Sequence, residues 1–134
     1  MTASEIEILR KYVEKVSEMI RIHVAILFGS RARRDHGPWS DYDILLIGEF
    51  EEPYLERLRI LLDLASDVKI PLEPHPYSID ECIRMLEKGN PTIVDAIEEG
   101  IVIHADEQFS RILEKYQEMK KSGKLQRTKT TITF

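Results

Sequence analysis

Two short apolar runs constrain the fold of this chain more than any other feature of its sequence. Residues 23–28 (HVAILF) and 44–47 (ILLI) have the length and composition of buried strands. The first run ends at Gly29 and Ser30, and two acids, Asp41 and Asp43, stand at the start of the second. The sequence therefore predicts two core strands, one ending in a glycine turn and the other beginning with a pair of carboxylates.

Helical patterns surround these two runs. Apolar residues at helical spacing, together with breaks at glycine and proline, predict helices at 4–20, 54–65, 78–88, 91–100 and 106–121. Ser4 with Glu7, and Ser78 with Glu81, have the spacing of a capping box, in which each side chain accepts a hydrogen bond from the other residue's backbone amide. Helices are therefore expected to begin at these two serines.

A third strand is predicted at the edge of the sheet. Pro71, Pro74 and Pro76 exclude a helix from residues 68–77 and remove backbone donors, which confines this segment to an edge position. A brief fourth strand is predicted at 101–104. Helices and strands nearly alternate, so the predicted fold is α/β (α+β), with a small mixed β-sheet flanked by helices.

Length and composition indicate one domain. The 134 residues fit a single domain, expected at 1–121 and followed by a basic tail at 122–134. Disorder is the default expectation for this tail, and a partner-docking or added edge-strand role is the alternative.

The single Cys82 excludes an internal disulfide framework, and no apolar run approaches the length of a membrane span. With a polar, acidic amino terminus and no signal peptide, the predicted location is the cytoplasm.

The two acids suggest a cation site. Asp41 and Asp43 lie two residues apart at the start of a strand, so both carboxylates are expected on one face. Like charges held this close need compensation, for which a divalent cation is the simplest source, and oxygen ligands favour Mg²⁺ or Mn²⁺. The net charge of −5 argues against direct binding of long nucleic acids, but a cation would allow a nucleotide to bind. Acids in this position are also common turn residues, and the D-x-D pattern alone does not separate the two interpretations.

The glycine turn is a candidate phosphate site. Gly29 allows the backbone to approach a phosphate closely, and amides at the start of a helix point towards an anion. Ser30 adds a hydroxyl, and Arg31 or Arg33 could add positive charge, although alternate residues of one turn cannot both face the ligand. If the two core strands pair, this turn and the carboxylates face each other across one cleft.

Residues 28–44 resemble the signature of the DNA polymerase beta nucleotidyltransferase superfamily, and within it that of the minimal nucleotidyltransferases (MNT). Their pattern is h-G-S-x-A-R-G-x₅-S-D-x-D-h, where h is apolar, and the chain matches it with FGSRARR followed after five residues by SDYDI. One fixed position departs, because Arg34 replaces the second glycine. The resemblance extends over residues 5–105, with Glu73 at the position of the family's third carboxylate and Asp67 as the competing candidate.

The resemblance implies an enzyme that binds an NTP and transfers its nucleoside monophosphate to a hydroxyl group. Its implied cofactor is Mg²⁺ or Mn²⁺, and its implied substrate is ATP. The site residues that it implies are the metal ligands Asp41, Asp43 and Glu73 and the nucleotide-binding residues Gly29, Ser30, Arg33 and Ser40.

The resemblance also implies a protein partner. MNT proteins are commonly paired with a small helical HEPN protein, an RNase toxin, which they neutralise by binding or by adenylylation. Three functions therefore stay open: an active nucleotidyltransferase that modifies such a partner, an antitoxin that acts by occlusion, and a nucleotide sensor without turnover. The sequence does not fix the acceptor, the base or the number of copies, so a homo-oligomer also stays open.

Four residues outside these motifs receive structural interpretations. Trp39 is expected to pack on its own domain, with stacking on a base or a partner as the alternative. His36 and His75 have no Cys or His companions at zinc spacing and are expected to be ordinary polar residues. Cys82 lies on an apolar helical face and is expected in the core.

Overall fold

The two apolar runs form the central strands of a four-stranded sheet in the computed structural model, which describes residues 2–125. The strands are β1 (Ile22–Phe28), β2 (Tyr42–Gly48), β3 (Leu72–Tyr77) and β4 (Ile101–Ala105). The helices are α1 (Ala3–Ser17), α2 (Ser30–Arg33), α3 (Tyr54–Leu64), α4 (Ile79–Glu87), α5 (Pro91–Glu99) and α6 (Phe109–Lys121). The predicted small sheet flanked by helices is therefore confirmed.

The order of the strands explains their composition. The sheet has the order β3-β2-β1-β4, in which β1 is antiparallel to both neighbours and β3 is parallel to β2. Every residue of β1 is buried, and so is nearly every residue of β2, because helices cover both faces of the sheet. Burial on two faces is why these strands are continuously apolar instead of alternating.

The sheet separates two apolar layers. On one face it packs against α1 and α3, whose buried apolar side chains are Leu9, Tyr12, Val13, Val16 and Leu61. On the other face it packs against α4, α5 and α6, whose fully buried members include Cys82, Leu86, Ile93 and Ile112. Cys82 thus lies in the core, as predicted, and burial raises the pKa of its thiol to about 12. A thiol held protonated in this way acts as a packing group.

β3 lies at an edge of the sheet, as its prolines predict. Pro74 and Pro76 are both buried and pair in register with residues of β2. The strand begins at Leu72, so the prediction of extended structure over 68–71 is wrong. The backbone hydrogen bonds between β3 and β2 can begin only where the chain, returning from α3, reaches β2. The chain reaches β2 at Pro71, whose carbonyl accepts a hydrogen bond from the Tyr42 amide at 2.8 Å.

One of the two predicted capping boxes is displaced. The box at Ser78 and Glu81 forms as predicted, whereas α1 is capped by Thr2 and Glu5 instead of Ser4 and Glu7. Both pairs have the required spacing, and a long-range contact distinguishes them. Glu5 also accepts a hydrogen bond from the Tyr42 hydroxyl, which is the main reason why the pKa of Glu5 falls to about 2.

The carboxyl-terminal tail lies mostly beyond what the structure describes. Helix α6 ends at Lys121, where the domain is predicted to end, but residues 126–134 lie outside the described part of the chain. The disordered or docking role of the tail at 122–134 stays a prediction. Between residues 2 and 125, no helix has both the length and the apolar character needed to cross a membrane.

Candidate active site

The turn after β1 brings the chain into close contact with β2. Gly29 has φ 77° and ψ −157°, a backbone conformation that is essentially restricted to glycine. β1 pairs with β2 so that Phe28 lies opposite Asp43, and a Cβ atom at Gly29 would stand 2.6 Å from Asp43 Oδ2. The turn and the carboxylate of Asp43 therefore face each other at one end of the sheet.

Arg34 takes over the backbone role of a glycine. Helix α2 is a single turn, closed by hydrogen bonds from the Arg33 amide to the Gly29 carbonyl and from the Asp35 amide to the Ser30 carbonyl, both at 3.1 Å. Arg34 ends this turn with φ 65° and ψ 24°, in the left-handed region. The departure from the motif therefore preserves the turn, at the cost of placing a side chain where glycine is favoured.

Arg34→Gly is expected to stabilise the protein. Removing the side chain relieves the left-handed strain, and the gain exceeds the greater entropy of an unfolded glycine, giving a net increase of about 0.5–1 kcal/mol in the free energy of unfolding. Urea denaturation measures this change. Arg33→Gly is the matched control, because Arg33 is inside α2 and its replacement should lower stability. A loss of stability in Arg34→Gly would contradict the assignment of strain to this residue.

The parallel pairing of β2 with β3 places a second carboxylate beside Asp43. Asp43 lies opposite Glu73 in the register, and neighbouring strands are separated by about 4.8 Å. His75, two residues further along β3, projects on the same side of the sheet as Glu73. Among residues 2–125, Asp43, Glu73 and His75 form one group in which a ligand atom from each lies within 4.8 Å of the others.

His75 is a site residue that sequence reasoning missed. Its Nε2 atom is 3.1 Å from Asp43 Oδ1, and its ring packs edge-on against Phe28 with the ring centroids 4.9 Å apart. Zinc spacing requires Cys or His companions close in the sequence, whereas the companions of His75 are acids on two strands. The E-x-H alternation on β3 was the available indication, since it places both side chains on one face.

The electrostatics of this group favour a cation. The pKa of Glu73 is raised, chiefly by its hydrogen bond with the Asp43 carboxyl and then by partial burial and the negative charge of Asp43. The charge of Asp41 adds to the same effect, whereas His75 opposes it. The chemistry of the donors, two carboxylates and one imidazole on accessible side chains, fits a divalent ion.

The two other predicted or competing acids occupy different positions. Asp41 is exposed and precedes β2, which begins at Tyr42, so it lies next to the group of three but outside it. Asp67, the alternative to Glu73, forms an ion pair with Lys15 at 2.9 Å and has a side chain that is 74% exposed. Of the two candidates for the third carboxylate, Glu73 is therefore the one that lies beside Asp43.

The predicted nucleotide-binding residues Arg33 and Ser40 have local partners. The Arg33 guanidinium forms an ion pair with Asp35 at 3.1 Å, which is the main cause of its raised pKa. The Ser40 hydroxyl accepts a hydrogen bond from the Gly37 amide at 3.1 Å. The Ser40 carbonyl accepts two more from Arg31, at 2.9 and 3.1 Å. These contacts fix the shape of the loop between α2 and β2.

This loop exposes an aromatic side chain shortly before Asp41 in the chain. Trp39 is 91% exposed, so the expectation that it packs on its own domain is wrong. The neighbouring Ser40 is held by Arg31, whose guanidinium also stacks on the Tyr42 ring at 4.2 Å from its centroid. The bonds that shape the loop therefore leave the indole in solvent two residues before Asp41.

Comparison with known proteins gives one family match and structures with a similar fold. The family model described as "Polymerase beta, Nucleotidyltransferase" matches residues 7–109. Among solved structures, the chain is similar to a toxin–antitoxin with AMP-PNP, with 15% sequence identity, a TM-score of 0.51, and coverage of 84% of this chain and 90% of the other. It is also similar to a mutant of the toxin–antitoxin MntA-HpeT, with 16% identity, a TM-score of 0.50, and coverage of 85% and 89%. At this level of identity these structures show the shared fold. No curated protein sequence matches the chain.

Proposed function

The chain belongs to the polymerase beta nucleotidyltransferase family, and from this premise we propose that it transfers a nucleoside monophosphate, in the simplest case AMP from ATP, to a hydroxyl group of a partner protein. One observation carries the proposal. Asp43 lies opposite Glu73 in the register of β2 and β3, and its carboxylate stands directly against the Gly29 turn.

In the proposed reaction the acceptor oxygen attacks the α-phosphorus of the NTP. A new phosphorus–oxygen bond forms, the bond between the α-phosphorus and the bridging oxygen breaks, and pyrophosphate leaves. The hydroxyl proton passes to Glu73 or to solvent. A divalent cation, when bound, would neutralise the carboxylates and polarise the phosphate oxygens.

The protein residues contribute position and charge in this proposal. Asp43 and Glu73 would hold the cation, and Asp41, exposed beside them, would act as a further ligand as the family motif implies. Gly29 would let the backbone approach the triphosphate, and Ser30 begins the helical turn that follows this glycine. Arg33 and Ser40 would bind the nucleotide through donors that their present contacts leave unused, the guanidinium NH₂ groups and the hydroxyl proton. Catalysis would come mainly from orientation and charge stabilisation.

The similarity in fold to toxin–antitoxin proteins supports a protein acceptor. We propose that the chain acts as the antitoxin of such a pair and modifies a small helical toxin of the HEPN type. The exposed Trp39, two residues before Asp41 in the chain, suits contact with a protein acceptor, because large aromatic residues are enriched at protein interfaces. The same observation favours the alternative in which the chain neutralises its partner by occlusion.

A transfer assay separates these functions. The purified chain is incubated with the protein encoded beside it, divalent cation and ATP labelled at the α-phosphate. We expect label on the partner and release of pyrophosphate. If the chain suppresses the partner's toxicity but transfers no label to it, the result would indicate occlusion. Stabilisation by ATP and cation without transfer to any acceptor would indicate a sensor.

Glu73→Gln and Asp67→Asn test the identity of the third carboxylate. Glu73→Gln keeps the shape of the side chain and removes the charge beside Asp43, so transfer should fall about a hundredfold or more. Asp67→Asn affects only an exposed ion pair with Lys15 and should leave the rate within about twofold of the parent. Initial rates of label transfer measure both variants. A large loss of rate in Asp67→Asn with a normal rate in Glu73→Gln would identify Asp67 as the third carboxylate.

A further inference from the structure

We propose that His75 binds the catalytic cation through Nε2 and thereby shifts the metal preference of the site from Mg²⁺ towards a first-row transition cation such as Mn²⁺. This inference rests on the proposed function, since the cation is the one that nucleotidyl transfer would use. It assigns to this chain a mixed donor set of aspartate, glutamate and histidine, with His75 setting metal selectivity.

The spacing of the donor atoms supports direct coordination. Two neighbouring ligands of an octahedral ion, each bonded at about 2.1 Å, lie about 3.0 Å from each other. His75 Nε2 and Asp43 Oδ1 are 3.1 Å apart, and Glu73 offers an oxygen within 4.8 Å of a ligand atom of each of these residues. A cation could therefore replace the contact between His75 and Asp43 without moving either strand.

The backbone and the packing hold the imidazole in this place. His75 stands between Pro74 and Pro76, whose rings fix φ near −65° on both sides of it and stiffen an edge strand that has one neighbouring strand. The edge-on contact with Phe28 restricts the rotation of the ring, and the side chain keeps 21% of its surface exposed. The donor is preorganised and still accessible to an ion.

The chemistry of imidazole explains the expected preference. Mg²⁺ takes oxygen ligands almost exclusively and loses its water shell reluctantly, whereas imidazole nitrogen suits transition cations. A site with a third acid in place of His75 would favour Mg²⁺ more strongly. His75 should therefore strengthen Mn²⁺ binding much more than Mg²⁺ binding.

Pulsed EPR of the full chain with Mn²⁺ alone tests this inference. We expect the spectrum of the unmodified protein to contain the coupling of a directly bound imidazole nitrogen. His75→Gln should remove this coupling, and His36→Gln, which replaces an exposed histidine on the neighbouring loop, should retain it. Calorimetric titration should show Mn²⁺ affinity reduced about tenfold or more by His75→Gln, with a much smaller change for Mg²⁺.

Results of three kinds would overturn direct coordination by His75, and the first two are obtained on the unmodified protein. They are Mn²⁺ binding without imidazole coupling in the unmodified protein, no Mn²⁺ binding, and coupling that survives in a folded His75→Gln protein. Equal losses of Mn²⁺ and Mg²⁺ affinity in His75→Gln would contradict the metal preference assigned to His75. Transfer activity without imidazole coupling contradicts this inference alone, whereas imidazole coupling without transfer to any acceptor contradicts only the proposed function.

Discussion

Asp43→Asn is expected to lower the rate of nucleotidyl transfer about a thousandfold or more. Asp43 lies at the centre of the candidate site. It is opposite Glu73 in the register, beside His75 Nε2, and against the Gly29 turn. The substitution keeps the shape of the side chain and removes the charge that a cation requires. Initial rates with α-labelled ATP, measured at saturating cation, give the size of the effect.

We expect Asp43→Asn to fold as stably as the unmodified protein, so its loss of rate would not be due to unfolding. Asp43 and Glu73 repel each other when both are ionised, so neutralising one should leave the midpoint of thermal unfolding unchanged or higher. The raised pKa of Glu73 should fall, because its main cause is removed. Asp63→Asn, which alters an exposed ion pair with Arg59 on α3, is the matched control and should keep full activity. Near-normal transfer by Asp43→Asn would refute the proposed active site.

Gly29→Ala should damage both stability and activity. Alanine can adopt the backbone conformation of Gly29 only with strain, which should lower the free energy of unfolding by about 1–3 kcal/mol. The added Cβ would stand 2.6 Å from Asp43 Oδ2, so the carboxylate or the turn must move. A displacement of about 1 Å in a metal ligand can cost about a hundredfold in rate. Urea denaturation and the transfer assay measure the two effects.

Gly37→Ala is the matched control for this substitution. Gly37 is in the neighbouring loop, its φ lies outside the left-handed region, and no atom would lie within 4 Å of the added Cβ. We expect Gly37→Ala to leave stability and rate nearly unchanged. An active and stable Gly29→Ala protein would show that the turn does not need to approach Asp43 so closely.

Much of the fold was predictable because it depends on local patterns. Continuous apolar runs identified β1 and β2, and the prolines identified β3 as an edge strand, because a residue without an amide donor cannot serve in the middle of a sheet. The capping box at Ser78 formed as predicted, but the one at Ser4 was replaced by Thr2 and Glu5. Two boxes with equal local spacing differ little in energy, and the long-range bond from Tyr42 favours one of them.

The sequence by itself determined the family, the glycine turn and the position of Asp43 at the head of a core strand, because these depend on residue type and spacing along the chain. The tertiary structure alone decided which side chains meet. The parallel register of β2 with β3 sets Glu73 and His75 beside Asp43, the ion pair with Lys15 holds Asp67 elsewhere, and Trp39 is left in solvent. Contacts between strands depend on how segments far apart in sequence pair, and no local pattern encodes that pairing.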